Sequence, residues 1–157
     1  MNIKKYSSFR RPIANGGYCI IIDLKNTSYP SQTIINENEF SCGNIYSYYS
    51  QTTSGPRQVS MCYNSNVFCI VEGYKVINSK YSLSEDIVSQ YNQNNEVFLA
   101  ENDYEASFFL FDSNSGNIIS SRDSSCVFDM FYLADNKNYI VISNDVKCIL
   151  PFSDHKL

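Results

Sequence analysis

The stretch from Glu105 to Leu150, EASFFLFDSNSGNIISSRDSSCVFDMFYLADNKNYIVISNDVKCIL, most narrowly limits what this chain can fold into. Apolar, aromatic and β-branched runs at Ala106 to Phe111, Val127 to Leu133 and Tyr139 to Ile142, with a more polar run at Asn117 to Ser121, alternate with clusters of Asp, Asn, Ser and Gly. Runs of that length and type suit strands. Breaks such as Asp112-Ser113-Asn114-Ser115-Gly116 and Asp135-Asn136-Lys137-Asn138 suit turns, because Gly adopts positive φ cheaply while Asp and Asn cap their own turns. The pattern predicts a four-strand antiparallel meander.

Upstream, Gly17 to Leu24 (GYCIIIDL) and Val67 to Val71 are almost continuously apolar. Such runs predict strands covered on both faces. Gln58 to Tyr63 alternates weakly before the turn signal Asn64-Ser65-Asn66, and Thr33-Ile34-Ile35 predicts a short strand. Ser82-Leu83-Ser84-Glu85 has the spacing of a capping box and opens a helix with Leu83, Ile87, Val88 and Tyr91 on one face. Val146 to Leu150 predicts one helical turn stopped at Pro151. Residues 1–16 carry no periodicity and read as a flexible arm, Lys25 to Thr33 as a loop around Tyr29-Pro30, and Glu37 to Gln58 has no clear period. With no internal repeat in 157 residues, residues 1–157 are expected to form a single domain.

A hydrophobic content of 43% excludes disorder by composition. The net charge of −4 and the lack of a Lys/Arg stripe beyond Lys4-Lys5 and Arg10-Arg11 argue against nucleic acid as a partner. No run reaches the ~18 apolar residues of a membrane span, and the first residues lack the apolar core of a signal peptide. A soluble, cytoplasmic chain with no membrane partner is expected. The six cysteines form no C-x-x-C, and the only histidine is His155, which predicts neither a metal site nor a cofactor. Most of the cysteines sit in apolar runs, where a reduced thiol packs as a small hydrophobe.

Taken in order, a strand ending in Gly, one amphipathic helix, a meander with a central Arg-Asp and a Lys-containing turn resemble the glutaminase domain of class II glutamine amidotransferases. The likeness is to the N-terminal domain of asparagine synthetase and its relatives in peptide natural-product pathways, the β-lactam synthetases and lasso-peptide cyclases. It rests on Ala106-Ser107-Phe108-Phe109-Leu110-Phe111-Asp112, Ile119-Ser120-Ser121-Arg122-Asp123, Met130-Phe131-Tyr132 and Ile142-Ser143-Asn144-Asp145-Val146-Lys147-Cys148-Ile149-Leu150. The ten-residue interval from Asp112 to Arg122 also agrees with the family's spacing. The resemblance spans residues 66–150, is best over 105–150, and implies an α+β fold of the N-terminal-nucleophile type: an αββα sandwich of two antiparallel sheets with few helices.

The resemblance also says where a site should lie. Such a domain attacks with the thiol of an N-terminal Cys whose own amine serves as base, while an Asn and a Gly of a strand-end N-G-E motif form the oxyanion hole and an Arg and an Asp hold glutamine. Here the nucleophile position falls on Cys19, whose amine would be freed only by cutting away Met1 to Tyr18. The strand end reads Glu72-Gly73-Tyr74, putting a carboxylate where a neutral donor is needed. The glutamine-binding segment corresponds to Ser54-Gly55-Pro56-Arg57, and Glu85 or Asp86 stands where an acid would hold the substrate. Cys19 and Gly73 are therefore the only fallback catalytic residues, and Glu72, Tyr74, Arg57 and Arg122 are candidates for binding. Arg122-Asp123 reads first as an ion pair or turn cap, Cys19 as a core thiol, and Tyr46 to Tyr49 as the least ordinary surface candidate.

No S-G-G-x-D phosphate loop occurs in the sequence, so amide synthesis is not expected of this chain. The resemblance implies a pseudoenzyme that binds a synthetase-type enzyme or a peptide precursor, in a setting such as peptide natural-product biosynthesis. Two alternatives stand beside it: an autoprocessed hydrolase or glutaminase using Cys19, and the excised N-terminal domain of a larger asparagine-synthetase-like protein. An apolar patch following Val146 to Leu150 would favour the latter.

Overall fold

A computed structural model describes residues 16–25, 34–36, 39–50, 57–74, 80–98, 104–125, 127–135 and 138–153. The expected arm before Gly16, the loop around Tyr29-Pro30, Ser54 to Pro56 and His155 lie outside them. The fold is mixed α+β, with two antiparallel sheets and, among the described residues, two α-helices. The chain divides into two compact units, Gln51–Asp129 and a second made of Met1–Ser50 with Met130–Leu157.

The unit Gln51–Asp129 is a sheet in the order β5-β6-β7-β8, formed by β5 (Arg57–Asn64), β6 (Val67–Tyr74), β7 (Ala106–Asp112) and β8 (Ile118–Arg122). The turn between β5 and β6 puts Ser65 at φ 57°. Helix α1 (Leu83–Asn94) lies across β5 and β6. Its capping box forms as the sequence predicts: the Ser82 hydroxyl accepts from the Glu85 N–H at 3.3 Å, and the Glu85 carboxylate accepts from the Ser82 N–H at 2.7 Å. Ile87, Val88 and Tyr91 are buried against Val67, Cys69 and Val71 of β6 and Phe108 and Leu110 of β7, with Leu83 at the margin. Phe98 fills the middle of this core, its ring 6.1 to 6.3 Å from those of Tyr91, Tyr104 and Phe108.

The other unit is a sheet in the order β2-β3-β4-β1-β10-β9. Its strands are β1 (Tyr18–Asp23), β2 (Ile34–Asn36), β3 (Glu39–Cys42), β4 (Ile45–Tyr49), β9 (Phe131–Asp135) and β10 (Tyr139–Ser143). Every residue of β1 is buried, as its apolar run predicts. Cys19, Ile21, Tyr46 and Val141 form a core cluster with Ile149 of helix α2 (Val146–Ile149) and Phe152 of the 3-10 turn Leu150–Phe152. The Glu37 to Gln58 stretch, which carried no clear period, contains β3 and β4. Tyr46 and Tyr49 are buried in β4 and are not the surface feature their clustering suggested.

Two expectations need correction. The 105–150 stretch is not one meander: β7 pairs with β8 and β9 with β10, but β8 and β9 belong to different sheets. The cause is Asp123, whose buried carboxylate accepts from the Ser125 hydroxyl and from the backbone N–H of Val127 (3.0 Å) and Phe128 (3.3 Å). Those bonds fold the start of the predicted strand at Val127 into a turn, so the strand begins only at Phe131. Nor does Pro151 stop the chain's helical path, because it enters the 3-10 turn at its start, where a missing N–H costs no bond.

Candidate functional site

The candidates Arg57, Glu72, Gly73 and Tyr74 meet at one end of the β5–β6 ladder, where Arg57 opposes Tyr74, Gln58 opposes Gly73 and Val59 opposes Glu72. Alternation divides their work, because side chains two apart share a face and neighbours do not. On one face the Glu72 carboxylate is buried, and Arg57 donates to its Oε1 through Nε and Nη2, both at 2.5 Å. The guanidinium lies 5.4 Å from the centre of the Phe128 ring, which meets Tyr74 edge-on at 5.0 Å. Glu72 raises the Arg57 pKa through this bond, against the opposing effect of burial, and so holds the guanidinium charged.

Arg122 falls on the same cross-strand row. The register runs Val59, Glu72, Ser107, Arg122 across the sheet, with Ser107 wholly buried between the last two charged groups. Two strand spacings, about 9–10 Å, separate Arg122 from Glu72. Arg122 is exposed at the end of β8, and its neighbour Asp123 is the turn cap that the sequence suggested. Burial works to raise the Asp123 pKa, but the Ser125 hydroxyl and the two backbone donors outweigh it and hold the carboxyl below its ordinary value.

Gly73 lies on the opposite face, under α1. A Cβ built there would stand 2.5 Å from Leu83 Cδ2 and 2.8 Å from Ala106 Cβ, well inside contact distance. Close packing of helix and strand thus favours glycine at this position, since any larger residue would have to displace Leu83 and Ala106. The strand end therefore combines a carboxylate paired with Arg57 and a packing glycine, an arrangement that braces β5 to β6.

Cys19 belongs to the other unit and lies inside β1, opposite Ser143 on one side and Tyr48 on the other. The chain before it is tied down: the Tyr18 N–H donates to Asn144 Oδ1 at 2.8 Å, the Ser143 hydroxyl to the Tyr18 carbonyl at 2.5 Å, and Asn144 Nδ2 to the Gly16 carbonyl at 3.1 Å. A hydrogen bond with the Cys148 thiol, burial and the Asp145 charge together push the Cys19 thiol well above its ordinary pKa. A catalytic thiol that attacks glutamine rapidly at neutral pH needs the opposite shift.

The two helix acids are also engaged. Glu85 closes the capping box, and Asp86 accepts from the Tyr104 hydroxyl at 3.3 Å. Among the described residues no group of three or more His, Cys, Asp or Glu side chains is placed to hold a metal ion, and no helix is long and apolar enough to cross a membrane. Phe128 and Ser107 are the participants that sequence reasoning passed over, and for Asp123 it missed the reach of the carboxylate to the backbone of Val127 and Phe128. The one local signal was the Asp-Ser-Ser cluster at 123–125, which favours a turn over the strand that Val127-Phe128 suggested.

No protein-family model and no curated protein matches the chain.

Proposed function

We propose that this chain is a catalytically inactive, amidotransferase-like binding module of the N-terminal-nucleophile αββα type, accessory to a cytoplasmic synthetase-type enzyme or to that enzyme's peptide precursor. The observation that carries the inactive half of this reading is Cys19, buried in the interior of a doubly paired strand with its pKa raised. Glu72 supports it, since its charge is committed to Arg57. The fold half is supported by two antiparallel sheets and by the order in which the matched segments occupy β7, β8, β9 and then β10 with α2.

Glutamine added to the purified chain should release no more glutamate than it does with a Cys19→Ala variant, and intact mass should retain Met1 to Tyr18. Release that Cys19→Ala abolishes contradicts the reading. Its binding half is tested by size-exclusion chromatography with the synthetase-type enzyme encoded nearest to this chain, for which co-elution is expected and separate elution tells against it.

A second reading, the N-terminal domain of a larger asparagine-synthetase-like protein, is favoured by Val146 and Leu150. They are one helical turn apart and remain 44% and 38% exposed, at the place where a following domain would cover them.

A further inference from the structure

Cys62 and Cys69 stand directly opposite each other on β5 and β6. Opposed residues of an antiparallel ladder share a face, and here it is the face that α1 covers: Cys69 is fully buried in the core beneath the helix, while Cys62 packs at its margin. Both are thiols. Opposed positions hold their Cα atoms about 4.5–5.5 Å apart, within the ~4.4–6.8 Å that a disulfide spans. Cys62 also opens on a cleft of about 600 Å³ lined by Tyr63, Tyr81, Glu85, Asp86 and Ser89. Among the described lining residues two are acidic and none is basic, so a cationic reagent is drawn in and an anionic one repelled.

We propose that Cys62 and Cys69 form a cross-strand dithiol that a small cationic disulfide, of the aminothiol class, oxidises through this cleft. The Cys62 thiol gives up its proton to solvent, and the thiolate attacks one sulfur of the reagent. The S–S bond breaks, one aminothiol leaves and takes up a proton, and a mixed disulfide remains on Cys62. The Cys69 thiol then loses its proton and attacks the Cys62 sulfur, expelling the second aminothiol. Two protein thiols and one reagent disulfide become one protein disulfide and two aminothiols, and excess aminothiol reverses the exchange. The product staples β5 to β6 and so fixes the register that brings Arg57 to Glu72. This proposal stands on the thiol pair and the cleft alone, whatever becomes of the amidotransferase reading.

The test uses the full chain with cystamine at low ionic strength, quenched with acid and digested with trypsin. Cleavage after Arg57 and Lys75 leaves both thiols in one peptide, Gln58 to Lys75. That peptide should lose two hydrogens, regain them with cysteamine, and react about tenfold more slowly with anionic oxidised glutathione. In Cys69→Ala the reaction should stop at a cysteamine adduct on Cys62, but the wild-type mass decides the matter even if that variant does not fold. A lasting adduct on wild-type Cys62 beside a Cys69 thiol, an unmodified Cys62, or oxidised glutathione reacting as fast as cystamine would each overturn the proposal.

Discussion

Among the described residues the two units follow one plan, an antiparallel sheet with helical cover, and differ in the length of the covering helix. In Gln51–Asp129 a capped 12-residue helix lies over the β5–β6 ladder, and the buried rings of Tyr91, Phe98 and Phe108 join the cover to the sheet. In the other unit the described cover is a four-residue helix and a 3-10 turn, held by Ile149, by Phe152 and by the Tyr139 hydroxyl, which donates to the Phe152 carbonyl at 2.7 Å. A long helix spreads its hold over many contacts along one stripe, whereas a short one depends on a few anchors. The two candidate sites divide in the same way. The Glu72–Gly73 strand end is fixed from both faces, and Cys19 is fixed by the strands on either side.

Phe98→Ala should show the contrast most strongly. A fully buried ring with three aromatic neighbours costs about 3–5 kcal/mol to truncate, whereas Phe152→Ala should cost about 2–3 kcal/mol because its turn can settle. Urea unfolding measures both, and equal losses would break the comparison. Next comes Gly73→Ala, at about 1–3 kcal/mol for the overlap with Leu83 and Ala106. Leu83→Ala in the same chain should recover part of that loss, and no recovery would remove the packing explanation. Arg57→Met leaves Glu72 buried without its guanidinium. The cost is about 2 kcal/mol, below that of a fully buried pair because Arg57 is more than half exposed, and adding Glu72→Gln should restore most of it.

The smallest effect is one of pH. The carboxyls of Asp123 and Asp112 are both held below their ordinary pKa, in each case by hydrogen bonds that outweigh burial, so the native state binds their protons less readily than the unfolded chain. Their contribution is fully present above about pH 4, where unfolded Asp ionises, and is lost as pH falls through the native values. Asp123→Asn should cost about 1 kcal/mol at pH 7 and flatten the acid side of a stability-against-pH curve. A curve unchanged in shape would mean that Asp123 does not hold the turn between β8 and β9.

Sequence legibility followed the same division. The helix was readable because a capping box and a 3.6-residue stripe are local signals, and β6 was readable because its apolar run is unbroken. The change of sheet after Arg122 was not, because Val127-Phe128 is as apolar as any strand and only the bonds to Asp123 remove it from one. β3 and β4 were hidden by Ser, Tyr and Gly, whose pairing depends on partners distant in sequence. Gly73 could be placed at a strand end from the sequence, but its reason, Leu83 overhead, could not. The Arg57–Glu72 pair needed the register, since 15 residues separate the two and nothing local joins them.

The account turns on the state of Cys19. The most direct measurement is to treat the folded chain with a glutamine-analogue electrophile, a diazoketone, and to locate any adduct by peptide mapping. A thiol buried in β1 and raised in pKa should remain unlabelled, with Met1 to Tyr18 still attached to it. Stoichiometric labelling of Cys19, with those residues lost and glutamine protecting, would contradict the account and make the chain an enzyme.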